Sequence, residues 1–421
     1  MKVGIIGSGG REHSLCLALK NSNKITNLFC FPGNAGTESI AKNIDIESED
    51  FEKLKNYIIE NQIDIIIVGP EKPLVEGIVD FLEKNNIKVF GPNKIASQLE
   101  GSKIFTKELC KKYNIPTASF GVFKNSEDTK KFLKSCKYPI VIKANGLAAG
   151  KGVYICENKE QSFQGTDEIF NGKFGEAKKI LVEEFLEGEE MSFFIISDGQ
   201  TYKTFCTAQD HKRVLEGDRG KNTGGMGAYS PSRLETEELN KRIIKKIIEP
   251  TLEGLKKLGV TFKGFLYAGL MIKNNEPFLI EYNVRMGDPE CQTILPKLKT
   301  DFGEVIDACV NNNLKSINFD WYQEKSLSIV LCSKGYPEKY ENNLEIKNLS
   351  KIYTKKNEFI FHAGTKEVEG KIYSNGGRVL NFVTRSKDLI KGRNSLVDLI
   401  KKLDWENGFF RKDIGHKIID K

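Results

Sequence analysis

The stretch Ile140-Val-Ile-Lys143-Ala-Asn-Gly146-Leu-Ala-Ala-Gly150-Lys151-Gly152 joins an apolar, β-branched strand to a loop of small residues bracketed by two lysines. Small residues allow backbone N–H groups to close around a polyphosphate, and a lysine on a strand adds a fixed positive charge. The loop is not a Walker A motif, because three residues separate Gly146 from Gly150 and Gly152 follows Lys151. The stretch predicts a phosphate-covering loop, with a Gly-rich hairpin carrying solvated lysines as the alternative.

The composition is that of a globular enzyme with several domains. The chain has 421 residues, of which 39% are hydrophobic and 29% charged, which is too long for a single core. Its net charge of +7 comes from 64 basic and 57 acidic residues. This balance suits anionic small molecules, and the lysines and arginines are spread along helices rather than gathered in a nucleic-acid-binding block. We therefore expect no nucleic-acid partner.

Targeting signals and reactive pairs are not apparent in the sequence. The chain starts with a strand-like segment rather than a signal peptide, and no apolar run reaches the length of a membrane span. Its nine cysteines include no Cys-x-x-Cys pair, and its four histidines are scattered. We expect buried thiols, no membrane contact, a cytoplasmic location and no Ser-His or Cys-His nucleophile.

The first hundred residues alternate short apolar strands with amphipathic helices, which predicts a doubly wound parallel sheet. The predicted strands are Lys2–Gly7, Leu28–Phe31, Asp64–Val68 and Val89–Phe90, and the predicted helices are Glu12–Asn21, Phe51–Asn61 and Leu74–Asn85. Each strand ends in a turn rich in Gly or Pro, and such turns meet at one edge of the sheet, where ligands bind. An NAD site is disfavoured, because Glu12 replaces the third glycine of the dinucleotide fingerprint.

Three domains are expected along the chain. A Rossmann-like domain covers residues 1–103, a central domain with a small antiparallel lid at about 120–192 covers residues 104–327, and a β-rich domain covers residues 328–421. A helix from about Ser102 to Asn114 carries Lys103 and Lys107 on one face, and a second is expected near Glu237 to Leu258. The segment from Asp210 to Ser230, rich in Gly and charge, is predicted to be a long functional loop.

The segment Glu281-Tyr-Asn283-Val-Arg285-Met-Gly287-Asp288-Pro-Glu290 follows a predicted strand at 277–282. Glu281 and Asn283 are two residues apart, so their side chains lie on the same side of a strand, and such oxygen ligands suit Mg²⁺. Arg285 is placed to stabilise charge on a transferring phosphoryl group. A salt-bridge cluster at a strand end is the alternative.

Together these features resemble the ATP-grasp superfamily, and a series of motifs narrows the resemblance to the phosphoribosylamine–glycine ligase (glycinamide ribonucleotide synthetase) family. The motifs span the chain in order: Gly9-Gly10-Arg11-Glu12-His13, Pro32-Gly33-Asn34-Ala35-Gly36, Val68-Gly69-Pro70-Glu71, Asp210-His-Lys212-Arg213, Asn222-Thr-Gly-Gly-Met-Gly227, Gly287-Asp288-Pro289-Glu290 and Gly376-Gly377-Arg378. The resemblance implies a monomeric ATP-grasp enzyme, which forms glycinamide ribonucleotide from glycine and 5-phosphoribosylamine through glycyl phosphate during purine biosynthesis.

The resemblance also implies roles for particular residues. Lys103 and Lys143 would contact ATP phosphates, with Lys143, Arg285 and Asp288 near the chemistry. The backbone of Glu183, Glu184, Phe185 and Leu186 would read adenine, Glu190 would bind the ribose, and Glu281 and Asn283 would hold Mg²⁺ or Mn²⁺. The substrates would be bound by Gly10, Gly33, Asn34, Glu71, Asp210, Lys212, Gly225, Arg285, Gly287 and Asp288.

One position departs from the family pattern, and two other functions stay open. Where the family suggests Lys-Ala-Asp-Gly, this chain has Asn145, which keeps turn propensity but puts any charge or metal role of that position in doubt. The alternatives are another ATP-grasp ligase that uses formate or bicarbonate, and a nucleotide-binding protein without catalysis. The intact Glu281, Asn283 and Arg285 set argues against the second.

Overall fold

The computed structural model describes residues 1–147, 152–175 and 178–419. The N-terminal domain is built on a parallel sheet with strand order β3-β2-β1-β4-β5, which confirms the predicted doubly wound fold. Its strands are β1 Lys2–Gly7, β2 Asn27–Pro32, β3 Lys42–Asn43, β4 Ile65–Val68 and β5 Lys88–Phe90, and its helices are α1 Gly10–Lys20, α2 Phe51–Glu60, α3 Glu71–Glu76, α4 Ile78–Lys84 and α5 Gln98–Gly101.

The central strands of this sheet are apolar along their length because helices cover both faces. Ile5 and Ile6 on β1 point to opposite faces and are both fully buried. The single helix predicted over Leu74–Asn85 is wrong, since Gly77 adopts a left-handed conformation (φ +100°) and separates α3 from α4. The Gly-rich turns that follow the carboxyl ends of β1 and β4 lie at one edge of the sheet. This edge, the N-terminal rim, faces the rest of the molecule.

The lid is a separate antiparallel sheet with strand order β6-β9-β7-β8. It follows helix α6 and packs helices against one face; the elements are α6 Lys103–Tyr113, β6 Phe120–Phe123, α7 Ser126–Leu133, β7 Ile140–Ala144, β8 Val153–Cys156, α8 Lys159–Phe170 and β9 Ile180–Glu184. Its small core includes Leu133, Ile142, Ile169 and Val182. The lid therefore has its own hydrophobic cluster.

A larger antiparallel sheet carries the remaining part of the molecule, with strand order β16-β15-β10-β11-β14-β17-β21-β18. Its first strands are β10 Glu189–Asp198, β11 Tyr202–Asp210, β14 Gly227–Ser230, β15 Lys263–Lys273 and β16 Glu276–Asn283. Around them lie the hairpin β12 Arg213–Leu215 and β13 Arg219–Asn222, and the helices α9 Glu237–Ile243, α10 Glu249–Lys257, α11 Glu290–Ile294 and α12 Phe302–Val310. A π-helical turn at Ile244–Ile248 joins α9 to α10.

The C-terminal elements extend the same sheet. They are β17 Lys325–Ser333, β18 Glu358–His362, the hairpin β19 Thr365–Val368 and β20 Lys371–Ser374, β21 Arg378–Ser386, α13 Leu389–Leu403, β22 Gly408–Phe409 and α14 His416–Ile419. Strand β14 pairs with β11 on one side and with β17 on the other. The prediction of one long loop from Asp210 to Ser230 is therefore wrong, because this segment contains a hairpin and a fully buried strand.

Two further expectations from the sequence concern the cysteines and membrane-spanning helices. All nine cysteines are free, and only Cys136 and Cys206 are more than marginally exposed, which confirms the prediction of buried thiols. None of the helices in the described part of the chain has the length and apolarity needed to cross a bilayer.

Candidate active site

A cleft of about 750 Å³ lies where the N-terminal rim, the lid and the large sheet meet. Turns after β1 and β4 supply Gly9 and Glu71, the lid supplies Lys143 and Glu183, and β16 supplies Glu281. Three structural units thus contribute side chains to one site. This arrangement places the carboxyl ends of the parallel strands against the lid, as expected for a phosphorylated ligand.

The lid side of the cleft contains a buried group of two lysines and one glutamate. The Glu183 carboxylate lies 2.7 Å from Lys143 Nζ and 2.9 Å from Lys107 Nζ. Their side chains are 4%, 6% and 3% exposed, respectively. Burial disfavours ionisation of Glu183, but the two lysines outweigh this effect and hold its pKa below the ordinary value. The group carries a net positive charge next to the predicted phosphate site.

The loop after β7 is fastened to the start of helix α6. Lys103 Nζ donates to the carbonyl of Gly146 at 2.8 Å, and the Asn145 side-chain oxygen accepts from the Ile104 N–H at 3.2 Å and from the Ser102 hydroxyl at 3.3 Å. Asn145 thus accepts from a backbone N–H in the first turn of helix α6, beside the N-cap residue Ser102, and a neutral amide suffices for this role. Gly150 and Lys151, at the far end of the predicted phosphate loop, lie outside the described residues.

Glu281 and Asn283 both line the cleft at the end of β16. In the pairing with β15, Gly269 lies opposite Glu281 and Tyr267 lies opposite Asn283, so the two predicted ligands follow each other on one side of the strand. Gly269 packs against Glu281, since an added Cβ would lie 3.4 Å from the Glu281 side chain, at ordinary van der Waals contact. A carboxylate and an amide oxygen at adjacent positions on one face fit a hard divalent cation such as Mg²⁺.

Arg285 projects between two carboxylates from the N-terminal side of the cleft. Its Nη2 lies 2.5 Å from Glu100 and its Nε lies 3.3 Å from Glu71. Arg285 lowers the pKa of Glu71, whereas burial raises the pKa of Glu100 to about 7. The two carboxylates do not use all the N–H donors of the Arg285 guanidinium. An incoming anion can therefore bind to the donors that remain.

Asp288 is held from three sides. Its carboxylate lies 3.3 Å from Arg378 Nη1, accepts from the Gln292 amide at 2.9 Å and accepts from the Arg11 backbone N–H at 3.3 Å. Burial opposes ionisation, but Arg378 and Arg11 keep its pKa below the ordinary value. Asp288 therefore ties together the N-terminal domain, the large sheet and the C-terminal region at the floor of the cleft.

A third group of charges lines the cleft near β10 and β11. Lys212 Nζ lies 2.6 Å from Glu190, so the predicted ribose ligand is paired with a predicted substrate ligand. Asp210, which precedes this lysine, has its pKa raised by burial. Glu290 has its pKa raised to about 7, first by burial and then by the neighbouring Asp210.

Most residues singled out from the sequence lie on this cleft, but four do not line it: Gly10, Gly33, Asn34 and Gly225. Asn34 is buried, and its amide donates to the carbonyls of Ser8 at 2.8 Å and His362 at 3.0 Å. An added Cβ at Gly10 would lie 2.5 Å from the Asn381 amide. These positions support the wall from behind, and their predicted substrate contacts stay predictions.

The cleft also contains charged residues that were not assigned to the site from the sequence: Arg11, Glu12, Glu47, Glu100, Lys107, Glu290 and Arg378. For some of them a signal was present. Lys107 follows Lys103 by one helical turn, and Glu290 ends a motif whose other members were assigned. Glu100 gave no such signal, because its partner Arg285 lies far away in sequence.

Comparison with known proteins places these features in a family. Three family models match in succession: the phosphoribosylglycinamide synthetase N domain at residues 1–100, its ATP-grasp (A) domain at 101–291 and its C domain at 326–417. The chain is 43% identical to a phosphoribosylamine–glycine ligase of Brucella melitensis and 45% identical to one of Agrobacterium fabrum, in both cases over 100% of this chain and 99% of the relative.

Solved structures agree with this match. A crystal structure of phosphoribosylamine–glycine ligase from Thermotoga maritima has a TM-score of 0.86 at 34% identity and covers 99% of this chain and 100% of that one. A biotin carboxylase domain from Hydrogenobacter thermophilus has a TM-score of 0.71 at 16% identity and covers 99% of this chain and 97% of that one, which indicates a shared fold alone.

Proposed function

Since this chain belongs to the phosphoribosylglycinamide synthetase family, we propose that it joins glycine to 5-phosphoribosylamine with hydrolysis of ATP. The products are glycinamide ribonucleotide, ADP and phosphate, in de novo purine biosynthesis. The observation that carries this proposal is the full-length similarity to phosphoribosylamine–glycine ligases. The cleft supports it, because cationic, carboxylate and amide groups from three structural units line one cavity.

The chemistry follows from the poor reactivity of a carboxylate as an acyl donor. A glycine carboxylate oxygen attacks the γ-phosphorus of ATP and ADP leaves, which gives glycyl phosphate. The phosphoribosylamine nitrogen then attacks the acyl carbon and phosphate leaves. Lys103 and Lys143 neutralise the nucleotide phosphates, and Arg285 stabilises charge on the transferring group. The protein contributes positioning and charge rather than a covalent nucleophile.

Glu281 and Asn283 would hold Mg²⁺, with Mn²⁺ as a substitute, because both offer oxygen ligands at neighbouring positions on one face of β16. When bound, such a cation neutralises phosphate charge. Adenine is assigned to the backbone from Glu183 to Leu186 and the nucleotide ribose to Glu190.

The phosphoribosylamine and glycine are assigned to the opposite wall, formed by Glu71, Arg285, Gly287 and Asp288 and by the residues near Asp210 and Lys212. Gly10, Gly33, Asn34 and Gly225 complete the proposed set of substrate-binding residues. We propose a monomeric enzyme that acts on small molecules. Its free cysteines support a cytoplasmic location.

The direct test is a substrate-dependence assay. Purified protein is incubated with MgATP, ribose 5-phosphate and ammonia, which generate phosphoribosylamine, and phosphate release is measured. We expect release only when glycine is added, with glycinamide ribonucleotide identified by mass spectrometry. Turnover supported by formate or bicarbonate instead of glycine would assign the chain to another ATP-grasp reaction and refute the proposal.

Glu281→Gln tests the metal assignment while preserving side-chain size. We expect turnover to fall at least about 100-fold, since a lost metal ligand removes several kcal/mol of charge stabilisation. Glu276→Gln is the matched control, because it lies at the other end of the same strand and pairs with Arg242 and Lys246. Equal turnover in the two variants would remove Glu281 from the metal site.

A further inference from the structure

The second half of the proposed reaction requires a proton acceptor, and this inference rests on the proposed function. When the amine nitrogen attacks the acyl carbon, it acquires positive charge and must lose a proton as the amide forms. General-base catalysis of such a step contributes roughly 100-fold to 10,000-fold. None of the four histidines lines the cleft, so a carboxylate is the natural candidate.

Most carboxylates of the cleft are already committed to cations. Ion pairs join Glu12 to Arg11 at 2.6 Å, Glu190 to Lys212 at 2.6 Å and Asp288 to Arg378 at 3.3 Å. Glu71 and Glu100 share Arg285, and Glu183 lies between two lysines. A carboxylate in an ion pair can take up a proton only at the expense of that pair. These residues are therefore poor acceptors.

Glu290 differs from them in its surroundings. It begins helix α11, lines the cleft and is 3% exposed. Its carboxyl group folds back over Gly287, since a Cβ added there would lie 2.3 Å from Glu290 Oε2. The lack of a side chain at Gly287 therefore creates the space in which this carboxyl group sits.

Tyr267 links Glu290 to the metal end of the cleft. The Tyr267 oxygen accepts a hydrogen bond from the Ser192 hydroxyl at 2.9 Å, and Tyr267 and Glu290 are close enough for each to shift the pKa of the other. Tyr267 also lies opposite Asn283 in the β15–β16 pairing. Tyr267 thus lies between Glu290 and strand β16, which carries the proposed metal ligands.

The charges that act on Glu290 come from several elements: Asp210 at the end of β11, Lys212 after it, Tyr267 on β15, Arg285 after β16 and Arg378 on β21. Burial and Asp210 raise its pKa, while Tyr267 and Lys212 lower it, and the result is about 7. A carboxylate with such a pKa binds a proton far more readily than an ordinary glutamate near neutral pH.

We propose that Glu290 accepts the proton released when phosphoribosylamine attacks glycyl phosphate. In this step the C–N bond forms, the bond between the acyl carbon and the phosphate oxygen breaks, and its electron pair leaves with phosphate. The proton passes from the nitrogen to the Glu290 carboxylate and is returned to solvent after the product leaves. Formation of glycyl phosphate involves no such proton and does not require Glu290.

This separation of the two half-reactions gives the test. Hydroxylamine replaces phosphoribosylamine as a reactive neutral nucleophile, and the glycine hydroxamate that it forms from glycyl phosphate is measured by its ferric complex. For Glu290→Gln we expect glycinamide ribonucleotide formation to fall at least about 100-fold. Hydroxamate formation should stay within about threefold of the wild type, which also shows that the variant is folded and activates glycine.

Glu290→Asp is the companion variant, since it keeps the charge and shortens the side chain. We expect it to recover part of the ligation and, unlike Glu290→Gln, to retain a rise of kcat/KM for phosphoribosylamine with pH. If both Glu290→Gln and Glu290→Asp lose hydroxamate formation, or if Glu290→Gln keeps full ligation, the inference is overturned. A wild-type protein whose phosphate release depends on formate or bicarbonate instead of glycine would refute the proposed function.

Discussion

The buried group of Lys107, Lys143 and Glu183 yields a prediction that can be worked out from the structure. At an effective dielectric constant of about 20, each of the two ion pairs corresponds to a gross attraction of roughly 6 kcal/mol. Glu183→Gln removes both attractions and leaves two lysine side chains facing each other, while the desolvation cost of the carboxylate is recovered. Breaking a buried ion pair in this way typically costs about 3–5 kcal/mol.

We therefore expect Glu183→Gln to lower the free energy of unfolding by about 3–5 kcal/mol in the absence of nucleotide. The measurement is urea denaturation followed by far-ultraviolet circular dichroism. Glu187→Gln is the matched control, because this nearby carboxylate is 76% exposed and lies 3.9 Å from its closest lysine partner. For this exposed pair we expect a change of less than about 1 kcal/mol.

Nucleotide should partly reverse the effect. If Lys143 contacts ATP phosphates, then MgADP supplies the negative charge that the variant lacks, and the increase in melting temperature on adding saturating MgADP should be larger for Glu183→Gln than for the wild type. A loss of stability below about 1 kcal/mol would refute the assigned strength of the ion pairs. An equal or smaller nucleotide effect would refute the assignment of Lys143 to the phosphates.

Two further predictions concern other buried charges. Arg411 is 1% exposed and forms ion pairs with Asp218 at 2.8 Å and with Asp413 at 2.7 Å. Arg411→Met should therefore lower the free energy of unfolding by about 3–5 kcal/mol, measured by urea denaturation followed by tryptophan fluorescence. Lys412→Met, at the exposed neighbouring position, serves as control, and equal stability of both variants would contradict the reasoning. For Glu290, the folded-state pKa of about 7 lies above the ordinary value of 4.5, so its contribution to stability is complete below about pH 4.5 and is lost as the pH rises through 7, by at most roughly 1 kcal/mol per pH unit. Glu290→Gln should flatten this slope, and an unchanged slope would show that another group titrates.

The parts of the fold predicted from sequence are those with a regular local pattern. The N-terminal sheet was predicted because each apolar strand is followed by an amphipathic helix and a turn. Strand β14 was missed, since Gly227–Ser230 is short and lies within a polar, Gly-rich segment whose burial depends on β11 and β17. The break at Gly77 was missed because a single glycine within a helical pattern is often tolerated.

The same difference between local patterns and long-range contacts applies to the predicted site residues. Glu281, Asn283 and Arg285 were predicted to act together because they alternate at the end of one strand and just beyond it, and the structure brings all three to the cleft. Glu100 was missed because its interaction with Arg285 joins distant parts of the chain. The substrate roles of Gly10, Gly33 and Asn34 came from motifs alone, and these motifs do not distinguish a residue that touches a ligand from one that packs behind the wall.

Strand β17 makes the C-terminal region inseparable from the catalytic sheet. It lies between β14 and β21 in one hydrogen-bonded ladder, so cutting the chain ahead of Lys325 would expose the backbone donors and acceptors of Ser230 and its neighbours. A bare strand edge of this kind recruits other chains and promotes aggregation. Attempts to shorten the enzyme for crystallography or biotechnology should therefore keep β17 and β21 in place and target exposed turns such as that at Glu369 and Gly370, between β19 and β20.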